Sequence, residues 1–162
     1  MSIYSELTII IPTFYPGEII KKCLATVPKE SEICIIDNGN DKELEEIIKL
    51  TSLNIKHYKV GDVGLSKSFN YGVSKSKNET ILITQPDVYF EKDTIKNLIG
   101  TLNFYSNTGI VAPLIYENGI YSKYDSLDLS LNKMGEVISK KRLKNKYIVP
   151  SGDFCVEAVN AT

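Results

Sequence analysis

An α/β fold built on a parallel sheet is what this sequence predicts. Short β-branched apolar runs alternate with stretches whose apolar residues recur at helical spacing, and the alternation repeats four times. Strand followed by helix, over and over, implies parallel strands joined by right-handed crossovers. Three of the runs are solidly apolar, as expected when helices cover both faces of a sheet. The third run is more polar and suits an edge. The predicted strand order is therefore 3-2-1-4, with helices on both faces.

The first run, Leu7-Thr8-Ile9-Ile10-Ile11, stops at Pro12 and reads as a strand. Pro16-Gly17 follows, and then Ile19, Ile20, Cys23, Leu24 and Val27 are spaced as one helix face. A second strand, Ile33-Cys34-Ile35-Ile36, ends at Asp37-Asn38-Gly39. Asn40 is placed to cap the next helix, with Glu43 answering three positions on, and Leu44, Ile47 and Ile48 form its buried face. The polar third strand covers Ile55 to Tyr58. After a loop from Gly61 to Gly64, Leu65, Phe69 and Val73 mark a third helix. The fourth strand, Thr80 to Thr84, runs into Gln85-Pro86-Asp87. Ile95, Leu98, Ile99 and Leu102 mark a fourth helix, and Ile110-Val111-Ala112 a fifth strand. Glu117-Asn118-Gly119, between Ile115-Tyr116 and Ile120-Tyr121, has the chemistry of a hairpin turn. Residues 122–146 are polar and weakly patterned. Tyr147-Ile148-Val149 and Phe154 to Val159 are further short-strand candidates. With no repeat and no linker, residues 1–162 are read as one domain.

Composition narrows the function. The chain has 162 residues, 43% hydrophobic and 24% charged, enough for a substantial core without disulfides or a structural metal. Nineteen basic residues against twenty acidic ones leave a net charge of −1. That argues against a nucleic-acid partner, which calls for a basic excess. No apolar run is long enough to cross a bilayer, and the first residues carry no basic-then-apolar signal. Cys23, Cys34 and Cys155 form no CxxC pair, so they read as buried thiols of a reducing, cytoplasmic compartment. The sequons at Asn78 and Asn160 then have no meaning. Arg142 is the only arginine, so a phosphate site must use lysine, backbone amides or a metal.

In an open α/β sheet, ligands bind beyond the carboxyl ends of the strands, where the strand order reverses. The segments expected there are Pro12-Thr13-Phe14-Tyr15, Asp37-Asn38-Gly39, Gly61-Asp62-Val63-Gly64 with Asn70 further along the helix, and Gln85-Pro86-Asp87. Each has an ordinary reading as a turn, a cap or a tight bend. Together they bring carboxylates, amides and glycines to one rim.

Other motifs weigh less. Gly61 to Ser68 differs from the phosphate loop GxxxxGK[ST] by Ser66 in place of a glycine, and it follows the edge-like strand. No GxGxxG follows the first strand. His57, the only histidine, is read as a surface residue away from the rim. One histidine and scattered cysteines do not make a zinc site. Five of the residues 140–146 are basic; a solvated loop and a contact with anionic lipid or phosphate both stay open.

Four segments, LTIIIPTF, ICIIDNGN, VGLSKSFNYGV and ILITQPDVYF, spread over about residues 6–115, resemble the nucleotide-sugar-dependent glycosyltransferases of family 2, with the GT-A fold. The last is similar to the family's Asp-x-Asp region as written in its rhamnosyltransferase-like branch. The resemblance implies an inverting transfer of sugar from a nucleotide-diphosphate donor to a glycan, lipid-linked or protein acceptor. By position, Thr13 and Phe14 would line the nucleotide pocket and Asp37 would accept hydrogen bonds from base or ribose. Gly64 and Asn70 would shape the wall, and Asp87 would hold Mg²⁺ or Mn²⁺ against the diphosphate.

Such a metal stabilises a leaving diphosphate without arginines. Gln85 leaves Asp87 as the sole carboxylate of its segment, and Asp62 stands where the family usually has Asn. The family's catalytic base lies in a later acidic motif, so the chain is expected to be the donor-binding portion, with the base beyond Thr162. The expected location is the cytoplasm or the inner membrane face. A nucleotidyltransferase is the alternative enzyme, although IPTFYPGE lacks the glycine-rich basic loop that chemistry uses. A truncated, non-catalytic binding module is the third reading. Oligomeric state is not readable from the composition.

Overall fold

A computed structural model describes residues 2–104, 108–113, 116–117, 120–121, 128–131 and 137–141. The chain divides into two compact units, Met1–Lys92 and Asp93–Thr162.

The first unit is a four-stranded parallel sheet of β1 (Leu7–Thr13), β2 (Glu32–Asp37), β3 (Ile55–Lys59) and β4 (Thr80–Ile83). Its order is β3-β2-β1-β4, as the sequence predicts. Helices α1 (Ile20–Thr26), α2 (Lys42–Lys49) and α3 (Leu65–Lys75) connect the strands. The chain steps one way across the sheet through α1 and α2, then back over it through α3. Right-handed crossovers therefore put α3 on the opposite face from the other two.

Side chains alternate along a strand. Ile10, Cys34 and Ile36 form one buried cluster, flanked by Tyr58, Val60, Phe69, Tyr71 and Ile81. Ile9, Ile11, Ile33 and Ile35 point to the other face and are wholly buried, as are Ile20, Cys23 and Leu44 on the first two helices. Every residue of β1 and β2 is buried. Each fully enclosed isoleucine contributes about 2 kcal/mol, so the central strands anchor the fold. The edge strand β3 is only half-buried.

Several boundaries differ from expectation. β1 continues through Pro12 to Thr13, paired with β2 at Pro12↔Ile36 and Thr13↔Asp37. The proline is tolerated because residue 12 faces the β4 side, where pairing has already ended at Ile10↔Ile83, so no ladder hydrogen bond is lost. Ile19 is exposed rather than buried, since it sits in a 3₁₀ turn, Gly17–Ile19, ahead of α1. The cap of α2 is Asp41, not Asn40: its Oδ1 accepts from Glu43 N at 2.9 Å. Asn40 instead takes a left-handed φ of 52°, because Asp37 pins the amide of Asp41.

The buried residues of α3 are Ser68 and Gly72, while Leu65 and Val73 are exposed. A Cβ on Gly72 would lie 2.5 Å from Ile10 Cγ2. The helix thus lies on β1 through its smallest side chains.

At the amino end of the sheet, the Glu32 carboxylate pairs with Lys56 and accepts from Thr8 Oγ1 (2.8 Å) and Lys77 N (3.0 Å). Burial alone would raise its pKa, but these partners outweigh burial and hold it below the usual carboxylate range.

In the second unit, α4 (Thr94–Phe104) has Ile95 buried. The expected hairpin is present as β5 (Tyr116–Glu117) against β6 (Ile120–Tyr121). A further antiparallel pair, β7 (Asp128–Leu131) and β8 (Val137–Lys141), lies in the stretch whose pattern is weak. Residues 110–112 are not a strand. Ile110 is exposed, and three apolar residues form a strand only with a ladder partner. Lys140 and Lys141 lie on β8. The rest of the basic run and the strand candidates at 147–149 and 154–159 fall outside the described residues.

Candidate functional site

The carboxyl ends of β1, β2 and β3 are tied together by one dipeptide. Asp37 is the last residue of β2 and is fully enclosed. Its Oδ1 accepts from Gly39 N and its Oδ2 from Asp41 N, each at 2.9 Å. His57 Nε2 lies 3.1 Å from Oδ2. The Asp37 carbonyl accepts from Val60 N at 3.0 Å. His57 is therefore not a surface residue remote from the rim. Its side chain is 16% exposed and belongs to the Asp37 cluster.

Asn38 completes the tie. Its backbone N donates to Thr13 O at 2.9 Å. Its Nδ2 donates to Thr13 O at 3.2 Å, and its Oδ1 accepts from Val63 N (3.3 Å) and Ser68 Oγ (2.9 Å). One buried amide thereby links the ends of β1 and β2 to the 61–64 loop and the first turns of α3. Thr13 is buried here, its hydroxyl 3.5 Å from Ile36 O. Sequence reasoning placed Thr13, Asp37 and Asn38 at the rim but gave Asn38 no role, and it missed Ser68 and His57. The amide that directly follows the strand-ending Asp37 is the signal that was available for a role at Asn38.

Two aromatic residues leave this knot. Phe14 and Tyr15 are 61% and 62% exposed and meet edge to face with centroids 4.9 Å apart. Tyr15 has φ of +48°, uncommon for a residue bearing a side chain.

On the other flank of β1, the turn after β4 carries Asp87, which is exposed. Val88 N closes this turn on Gln85 O at 3.2 Å. The Cys23 thiol donates to the same carbonyl at 3.7 Å, and Phe90 N donates to Thr26 Oγ1 at 3.1 Å. Both bonds fasten the segment to α1. Burial, with the nearby charge of Asp87 adding to it, pushes the Cys23 thiol up to about 12. Cys23 is thus an inert packing thiol and not a nucleophile.

Gly64, with φ of +79°, is the exposed residue from which α3 starts. Asn70 is exposed as well. It lies two residues from Ser68, about 200° around the helix, on the side away from the sheet. The first unit thus gathers Thr13, Phe14, Asp37 and Gly64 about one rim, with Asp87 across β1 from Asp37 and Asn70 turned outward.

Among the described residues, no group of three or more His, Cys, Asp or Glu side chains is placed to hold a metal ion. One exposed carboxylate still fits the mode in which Mg²⁺ takes a single protein ligand and fills its shell with substrate phosphates and water. No helix among the described residues is long and apolar enough to cross a membrane.

Known proteins share this architecture. Solved structures of S. aureus TarS residues 1–349 align with TM-scores of 0.54 for the enzyme alone and 0.53 for its complex with UDP-GlcNAc. In both, 21% of aligned residues are identical; the alignments cover 70% and 69% of this chain and 40% and 38% of the other. That likeness establishes the GT-A fold. The low-salt glycan biosynthesis hexosyltransferase Agl10 of Haloferax volcanii is 28% identical over 116 residues, 68% of this chain and 36% of its own length. A glycosyltransferase of Rickettsia typhi, RT0329, is 28% identical over 119 residues, 70% of this chain and 37% of its own. The chain spans little more than a third of these relatives. A family description, "Glycosyl transferase family 2", matches residues 8–158. A sheet of order 3-2-1-4 with its polar loops at the carboxyl rim, matched over nearly its whole length by that family, makes this chain a member of glycosyl transferase family 2.

Proposed function

We propose that this chain is the donor-binding portion of an inverting glycosyltransferase that takes sugar from a nucleoside-diphosphate donor. The observation that carries the reading is the rim itself. Three strand ends are locked by Asp37 and Asn38, and Asp87 stands free on the other side of β1. A fixed nucleoside side and an open diphosphate side are what such a donor requires. The binding of UDP-GlcNAc and UDP by the S. aureus TarS structures supports the same donor class.

In this reading Thr13 and Phe14 line the nucleoside pocket, and Gly64 lets the 61–64 loop turn close to the ligand. Asp37 acts through the loop it holds, because both its oxygens are already engaged. Asp87 is the residue that would hold Mg²⁺ or Mn²⁺, which supplies charge stabilisation for the departing diphosphate. Single displacement also needs a carboxylate on the acceptor side to take the hydroxyl proton; none of the described residues is assigned that role. The acceptor is a glycan, a lipid-linked saccharide or a protein, handled at the cytoplasmic membrane face.

Calorimetric titration with UDP, GDP and dTDP, with and without Mn²⁺, tests the reading. Binding of at least one, tighter with the metal, is expected. Failure of all three in both conditions overturns it.

A further inference from the structure

We propose that Tyr15 is a specificity-determining residue of this site, a rigid wall seated on Gly39 that bounds the nucleoside side of the pocket. The inference rests on the donor-binding reading above and adds a residue to it.

Three observations support it. First, Tyr15 is held at φ +48°, a conformation that a residue with a side chain keeps only where its surroundings enforce it. Second, a Cβ on Gly39 would lie 3.1–3.2 Å from Cε2, Cζ and Cδ2 of the Tyr15 ring. The ring therefore rests on the bare backbone of residue 39. Gly39 itself does not have a positive φ, so the glycine is there for room rather than for backbone freedom. Third, the Gly39 amide is fixed by Asp37 Oδ1 at 2.9 Å, and Phe14 meets Tyr15 edge to face. The support runs without a gap from the buried carboxylate through the Gly39 backbone to the Tyr15 ring and on to Phe14.

This wall is 62% exposed and lies just past the end of β1, where a donor nucleoside would enter. An aromatic face fixed in advance contributes to ligand affinity without a cost of ordering. Bases of different size and edge chemistry meet a fixed wall differently, which gives discrimination among nucleotides.

The test measures affinities for UDP, GDP and dTDP with Mn²⁺ in the wild-type chain and in Tyr15→Ala, Tyr15→Phe, Gly39→Ala and the double variant Tyr15→Ala/Gly39→Ala. Circular dichroism checks that each variant folds. Tyr15→Ala should weaken the preferred nucleotide roughly tenfold and narrow the ratios among the three. Gly39→Ala should weaken it comparably by displacing the ring, yet by less than about twofold once Tyr15 is absent. Tyr15→Phe should stay within about threefold of wild type, because it keeps the ring. Unchanged affinity and ratios in Tyr15→Ala overturn the proposal, as does an equal loss from Gly39→Ala with and without Tyr15. A wild-type chain that binds none of the three overturns the donor-binding reading, and this wall with it; that result is distinct from binding that ignores Tyr15.

Discussion

The two flanks of β1 at the carboxyl rim are built on opposite terms. Toward β2, the buried polar side chains are committed: Asp37 to two amides and His57, Asn38 to Thr13, Val63 and Ser68. Toward β4, the 85–89 segment is fastened at its backbone, by Cys23 and Thr26, while Asp87, Val88 and Tyr89 stay exposed. One flank is finished before any ligand arrives. The other offers an exposed carboxylate, Asp87, with no ion pair among the described residues, which on the proposed reading a cation and a phosphate would complete. On the proposed reading, stability and diphosphate chemistry sit on different sides of one strand, and mutations should separate them.

The largest effect belongs to the finished flank. Asp37→Ala leaves two amides and an imidazole without their acceptor and should cost about 3 kcal/mol, read by urea denaturation; a loss no greater than that of an exposed site breaks the contrast. Gly72→Ala comes next. Alanine favours a helix over glycine by about 1 kcal/mol, but its methyl meets Ile10 Cγ2, and overpacking costs about 1–3 kcal/mol. Net destabilisation of about 0–2 kcal/mol is expected, and a stabilised variant would mean that α3 can lift off β1.

On the open flank, Asp87→Asn should leave the unfolding midpoint unchanged while abolishing the Mn²⁺ enhancement of nucleotide binding, about a tenfold loss if Asp87 is the only protein ligand. Retained enhancement would move the metal elsewhere.

The amino end of the sheet gives a pH readout. The Glu32 carboxyl is held below its unfolded value, so its contribution is complete above the unfolded pKa and is lost as pH falls through the folded one. Glu32→Gln should be less stable than wild type near neutrality, with the gap closing in acid; a constant gap would sink the assignment. The smallest effect is at the exposed Lys49–Glu46 pair, where Lys49→Ala should shift Tm by no more than about 1 °C.

The sequence carried the strand order because polarity tracks position in a sheet: Lys56, His57 and Lys59 cannot fill a central strand. It carried the rim because the carboxyl ends of parallel strands meet by topology. It did not carry the packing of α3. Apolar periodicity counts large side chains and selected Leu65 and Val73, whereas close approach of a helix to a strand selects the smallest, Ser68 and Gly72. Nor did it carry the partners of Asn38, which lie 25 and 30 residues away, or the meeting of His57 with Asp37. The β7–β8 pair was hidden because Asp128–Leu131 alternates over only four residues and Val137–Lys141 does not alternate at all.

Pro12 has one more effect. β1 runs on to Thr13 while its register with β4 ends at Ile10↔Ile83, with one more backbone bond from Thr84 N to Ile10 O at 3.1 Å. Proline has no N–H to offer there. The missing donor blocks further zippering of β4 along β1, and a neighbouring chain is likewise denied that foothold. An imino acid thereby sets how far the fourth strand can pair along the first, and leaves the last residues of β1 to the second strand alone.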